Sequence, residues 1–161
     1  MTTNIQQTPQ EKQQLYLENV NKFFGQVKKW LPTPFETVQI ENHLLEDKTG
    51  EYETPLLSII KKDVPAADGV IANLIPEGIS FLTNDDLIEI KGAWDEEEVA
   101  YIQEKNLIHT VRSGKECLMD EGFETEGWYW IIKTKNQIRP ITKEIFFEII
   151  KRVSDQPMES I

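Results

Sequence analysis

GWYWIIKT, residues 127–134, sets Trp128, Tyr129 and Trp130 side by side between an acidic run and a basic C-terminal segment. On a strand, successive side chains point to opposite faces. Trp128, Trp130 and Ile132 then share one face, and Tyr129, Ile131 and Lys133 share the other. Rings alternating in this way cannot form one continuous stacking platform for a ligand or a nucleic acid. With isoleucines extending both faces, the segment reads as a central strand of a sheet. Trp128 and Trp130 turn toward a layer of helices, and Tyr129 toward a second, partly exposed surface.

The helices that such a layer requires stand at the two ends of the chain. TPQE offers Thr8 as N-cap, Pro9 at the first helical position and Glu11 at the third, the pattern of a capping box. Leu17, Val20, Phe24, Val27 and Leu31 follow at helical spacing, with Tyr16, Phe23 and Trp30 beside them, so one apolar face runs up to Pro32. Near the C-terminus Thr142 caps a final helix whose stripe is Ile145, Phe146, Ile149, Ile150 and Val153. Ile141 and Phe146 occupy the positions of a hydrophobic staple, and Phe147 falls off the stripe.

Between the helices the period changes to two. FETVQIENHLL places Val38, Ile40 and Leu44 on one side and Gln39, Glu41 and His43 on the other. EDKTGE is a turn with Gly50 available for positive φ, and EYETPLLSIIKK returns as the second strand of a hairpin. Pro55 has no N–H to give a ladder and is expected at an edge or a bulge. GVIANLIP, GISFLT and DLIEIKG read as three short strands separated by PEG and NDD. Connections this tight force antiparallel pairing.

WDEEEVAYIQEKN admits two readings. Asp95 and Glu98 have capping-box spacing, with Trp94 and Val99 as a staple, which suits a short helix. Val99, Tyr101 and Gln103 alternate against Ala100 and Ile102, which suits a strand. LIHTV reads as a further strand before a long acidic connection. The sum is an α+β fold, a mainly antiparallel sheet of about five to seven short strands with the N-terminal and C-terminal helices packed on one face. It is expected as a single domain over residues 8–154, with a disordered N-terminus at 1–7 and a flexible tail at 155–161.

The net charge of the 161-residue chain is −11, and its acids gather in the middle: residues 63–106 hold 11 Asp/Glu against 2 Lys/Arg. Such a segment repels phosphates and anionic lipids and attracts cationic partners. Lys133, Lys135, Arg139, Lys143, Lys151 and Arg152 surround the aromatic strand, but Glu144, Glu148 and Asp155 are interleaved with them, and nucleic-acid binding is disfavoured. A single Cys117 and an N-terminus without a basic and apolar leader point to the cytoplasm. No apolar run is long enough to span a bilayer, so no membrane partner is expected.

The sequence contains no phosphate-binding glycine loop, nucleophile elbow, H-E-x-x-H, C-x-x-C or EF-hand pattern. His109 and Cys117 stand eight residues apart with nothing to orient them as base and thiolate. Catalytic residues, metal ligands and cofactors are therefore expected to be none. The composition suits a non-enzymatic protein-interaction domain, a small acidic binder or inhibitor of immunity-like type docking on a basic protein. Trp94, with Asp95, Glu96, Glu97 and Glu98, is the candidate docking patch, since an aromatic beside carboxylates suits an interface to a cationic surface. The alternative is a small-molecule-binding domain or an enzyme of unfamiliar motif, with a pocket between sheet and helices lined by His109, Trp128, Trp130 and Phe146. A homo-oligomer stays open.

Overall fold

Helix α1 (Pro9–Trp30) starts where the capping box places it: Thr8 Oγ1 accepts from Glu11 N–H at 3.1 Å, and the Glu11 carboxylate accepts from Thr8 N–H at 2.8 Å. The computed structural model describes residues 8–62, 70–80, 85–103 and 125–156. After α1 come seven strands, β1 (Phe35–Asp47), β2 (Gly50–Lys61), β3 (Val70–Ile79), β4 (Asp86–Gly92), β5 (Glu96–Ile102), β6 (Gly127–Ile132) and β7 (Gln137–Pro140), and then helix α2 (Lys143–Ser154). The strands form one sheet in sequence order, every neighbouring pair antiparallel. No helix among the described residues is long and apolar enough to cross a membrane.

Both helices lie on one face of the sheet, and the core forms between them. Tyr16, Val20, Phe23, Phe24 and Val27 of α1 meet Leu57, Leu74, Ile88, Ile90, Val99 and Trp130 of the strands, with Phe146, Ile149, Ile150 and Val153 of α2. Trp128 and Trp130 face this layer as the alternation requires, and Trp128 packs on Phe23 with ring centroids 5.4 Å apart. Tyr129, expected on a partly exposed surface, is instead buried with Ala100, Ile102 and Ile138 in a small second cluster on the opposite face. Its hydroxyl donates to Thr125 O at 2.6 Å, which meets the hydrogen-bonding need of a buried phenol.

One expectation is corrected, and two open points are decided. VIANLIP and GI are one strand, Val70–Ile79, because PEG makes a bulge between Pro76 and Gly78 rather than a turn. Gly78, at φ +84°, supplies the conformation that the bulge needs. WDEEEVAYIQEKN resolves as strand β5, its Glu96–Tyr101 ladder with β4 outweighing the isolated capping signal. The Val38, Ile40 and Leu44 side of β1 points away from the helices, and Gln39 takes the inner face, where Lys28 of α1 donates to it at 2.7 Å. LIHTV, His109, Cys117, residues 1–7 and the tail beyond 156 lie outside the described residues.

The β1–β2 hairpin is bent by a bulge between Ile40 and His43, and Pro55 sits in β2 opposite it. Beyond the bend, the tip reaches back to α1 and to the end of β3. Gln13 donates to Thr49 O at 3.0 Å, and the carboxylate of buried Asp47 accepts from Thr49 N (2.8 Å), Tyr52 Oη (2.7 Å) and Ile79 N (3.0 Å), as well as from the Thr49 hydroxyl. Next to it, Tyr16 Oη donates to Leu87 O at 2.6 Å and accepts from Gly78 N at 3.0 Å. Asp47→Asn replaces one acceptor oxygen by a donor and leaves buried donors facing it, so it is expected to cost about 1–3 kcal/mol. Urea unfolding with an unchanged slope would measure this; an unchanged midpoint would deny Asp47 its role as the tie.

Candidate functional site

The turn between β4 and β5 carries the first candidate site. Gly92 N–H donates to Asp95 O at 3.0 Å, and the last turn of α2 closes on it, with Val153 O accepting from Trp94 N–H at 2.8 Å and Asp95 N–H at 3.2 Å. A Cβ on residue 92 would sit 2.4 Å from Val153 O, so only glycine allows this approach. Trp94 is thereby held at the tip by its backbone while 73% of its surface faces solvent.

From this turn β5 runs back along the sheet and distributes its carboxylates by alternation. Glu96 and Glu98 point to the face away from the helices, where Glu96 is paired with Lys91 and Glu98 with Glu89 of β4. Glu77, at the β3 bulge, joins them. The hydrogen bond that Glu89 shares with Glu96, followed by partial burial and the Glu96 and Glu98 charges, pushes its carboxyl up to about 7, with Lys91 opposing. Glu77 is also pushed up to about 7, chiefly by desolvation, then by its hydrogen bond to Glu98 and the Glu98 and Glu89 charges, against which Lys133 acts. Lys133 Nζ lies 3.7 Å from Glu98. Carboxyls crowded in this way hold protons that a cation would displace.

Glu97 falls on the helix side. It accepts from Trp130 Nε1 at 2.8 Å, and the Arg152 guanidinium covers the same indole at 5.3 Å. Around these groups lies a cavity of about 290 Å³, lined by Glu96, Glu97, Trp130, Lys133 and Arg152 among others. The proposed patch is thus divided: Trp94, Asp95 and Glu96 are exposed, Glu98 joins the outer carboxyl cluster, and Glu97 holds Trp130. Glu77 and Glu89 were missed in the sequence because they belong to other strands, and only the register brings them to Glu96 and Glu98. The basic C-terminal residues are largely engaged with the chain itself, Arg139 reaching Glu148 at 4.0 Å and Lys143 lying 5.8 Å over Phe147.

A second cleft, of about 330 Å³, opens between α1 and the far ends of β5 and β6, with Asn19, Phe23, Tyr101, Glu126 and Trp128 on its walls. Trp128 Nε1 donates to Asn19 O at 3.2 Å and Tyr101 Oη to Glu126 at 3.1 Å. Asn19 is buried, and its side-chain nitrogen has no partner at hydrogen-bonding distance. Asp86, the cross-strand neighbour of Tyr101, is raised to about 7 by burial; the nearby Asn19 amide favours its ionised form, while the Asp85 and Asp47 charges oppose it. Of the residues expected in a pocket, only Trp128 lines this cleft. Trp130 and Phe146 are core, and His109 lies outside the described residues. No group of His, Cys, Asp and Glu among the described residues has the arrangement of a metal site.

No protein-family model, curated protein or solved structure matches the chain.

The raised carboxyls set the pH dependence of stability. Asp86, Glu77 and Glu89 bind protons in the folded state at pH values where the unfolded chain has released them, so stability falls as pH rises from the ordinary carboxylate range through about 7. Asp47, lowered by its donors against the opposing effect of burial, acts with the opposite sign and only in acid, its contribution being lost as pH falls below the usual aspartate range. The melting temperature is therefore expected to be several degrees higher near about pH 5.5 than near about pH 8, given about 2–4 °C per kcal/mol at this size. Asp86→Asn should flatten the dependence; an equally steep profile in that variant would remove Asp86 as its main source.

Proposed function

We propose that the chain is a non-enzymatic, cytoplasmic protein-interaction domain, an acidic binder or inhibitor of immunity-like type whose β4–β5 end docks on a basic partner. The observation that carries this reading is Trp94, a large apolar side chain 73% exposed, on a turn whose backbone is fixed by the Trp94 and Asp95 N–H groups donating to Val153 O, at the rim of a carboxylate cluster. Burying that ring against a partner gains apolar area, and its fixed backbone reduces the ordering cost. The carboxylates steer a cationic surface toward it and lose their shared protons as they meet its Lys and Arg groups.

Affinity capture with the tagged protein at low and high salt, followed by association kinetics with the retained protein, tests the proposal. A stoichiometric basic partner held at low salt is expected. Trp94→Ala should weaken it about tenfold or more while changing folding stability by less than about 0.5 kcal/mol. Glu96→Lys with Glu98→Lys should slow association and flatten its salt dependence. A partner indifferent to both changes would dismiss this surface.

The cleft beside Asn19 favours a second reading, a small-molecule site, because the buried Asn19 amide, the Glu126 carboxylate and the aromatic walls of Tyr101 and Trp128 meet there. A metabolite that raises the melting temperature of the parent but not of Trp128→Ala would favour it over docking.

A further inference from the structure

Strand β1 ends the sheet, and among the described residues it pairs with β2 alone. Its first half, Phe35–Ile40, lies before the bulge and, apart from the Phe35 N–H, which donates to Pro32 O at 2.8 Å, presents a regular row of backbone groups along the edge. This half contains no lysine and no proline, two of the usual guards of such an edge.

The face beside that edge is apolar. Val38 and Ile40 are each 49% exposed, and Leu56 and Ile60 of β2 and Val70 of β3 continue the patch across the register pairs Ile40–Leu56 and Ile60–Val70. In its middle Ser58 and Asn73 satisfy each other through a 2.6 Å hydrogen bond and leave the surrounding methyl groups uncovered. An alternating apolar strand normally turns such side chains to the core; here the inner positions go to Thr37 and Gln39, and the aliphatic set faces out.

Charge selects the occupant. Glu36, Glu41 and Glu46 lie along β1, and the strand has no Lys or Arg. A second copy of this chain would bring Glu36 of both edges onto one outer face, with Lys28 held at Gln39 on the other face, between molecules of net charge −11. A cationic strand meets the same edge with the opposite sign, so the acids reject self-pairing and admit a basic partner.

We propose that Phe35–Ile40 is a β-augmentation site that takes an extended segment of a partner protein carrying, at every second position and so on one face, two aliphatic residues and then Lys or Arg. Backbone hydrogen bonds along the edge supply affinity, Val38 and Ile40 receive the aliphatic side chains, and Glu36, on the same face, pairs with the cation. The site lies four strands from β5 and does not depend on docking at Trp94.

The test uses the full chain and a fluorescent peptide of about eight residues, with Val, Val and Lys at every second position and Thr between them, long enough to cover one strand. Its comparator is the same peptide N-methylated at every second amide, which keeps charge and side chains but cannot form the ladder. The unmodified peptide is expected to bind about tenfold or more tightly than the methylated one. Its binding should slow amide hydrogen exchange within residues 36–40, fall about tenfold in Val38→Lys/Ile40→Lys, and survive Glu96→Lys/Glu98→Lys within about twofold. The exchange measurement needs no variant and decides the matter if the double lysine variant folds poorly. Equal affinity for both peptides would reduce the interaction to charge attraction. Protection appearing on β5 would move it to the acidic patch. A dimer with β1 amides already protected would give the edge to a second copy; each of these overturns the proposal.

Discussion

A buried carboxylate holds this sheet in its shape. Asp47 sits at the tip of a long hairpin that would otherwise stand away from the sheet, and it receives hydrogen bonds from its own turn, from Tyr52 of β2 and from Ile79 of β3. Tyr16 of α1 completes the node by bridging Gly78 and Leu87, and its ring meets Tyr52 edge-on at 6.4 Å. Burial and the neighbouring Asp86 and Asp47 charges raise the Tyr16 phenol well above its ordinary range, so it stays a neutral donor beside the carboxylates. The bulge that bends the hairpin, the glycine that bends β3 and the first turns of α1 all converge there. The open outer edge of β1 follows from the same bend, because it is the far half of the strand that is pinned to the body of the fold.

The helices and the aromatic strand were legible because local chemistry and tertiary placement agree in them. Thr8 and Thr142 are caps in sequence and in space, and the apolar stripes they introduce are buried. GWYWIIKT alternates with period two and lands between two other strands, so its tryptophans reach the helices. The errors occur where tertiary context reverses a local rule. PEG has turn composition, yet ladder pairing on both sides of Gly78 carries the strand through it. For Asp95–Glu98 the sequence left helix and strand open, and a ladder of cross-strand partners on both sides decides for the strand. Asn19 lies on the buried side of α1, a polar exception that a hydrophobic pattern passes over.

The candidate site was legible only in part, for a reason of dimension. Asp95–Glu98 is a visible run of acids, but a strand divides such a run between its two faces. What concentrates charge on the outer face is the registry of three strands, which brings Glu77 and Glu89 to Glu96 and Glu98. No one-dimensional pattern contains that neighbourhood. The aromatic at its rim was visible as Trp94, but its fixation by Val153 O depends on Gly92 and the end of α2, some sixty residues away along the chain.

The two outward surfaces have opposite relations to stability. Crowding Glu77, Glu89, Glu96 and Glu98 costs folding free energy at neutral pH, since shared protons are the sign of repulsion the fold has not relieved. Leaving Val38, Ile40 and Trp94 in solvent forgoes hydrophobic gain that their burial would bring. Neither feature helps the isolated chain, and a cationic surface with apolar side chains would reverse the sign of both. Local rules that are broken together, without compensation inside the molecule, direct attention to what lies outside it. Like charges repel, so the same acids that weaken the fold oppose the pairing of its exposed edge, or of Trp94, with another acidic surface.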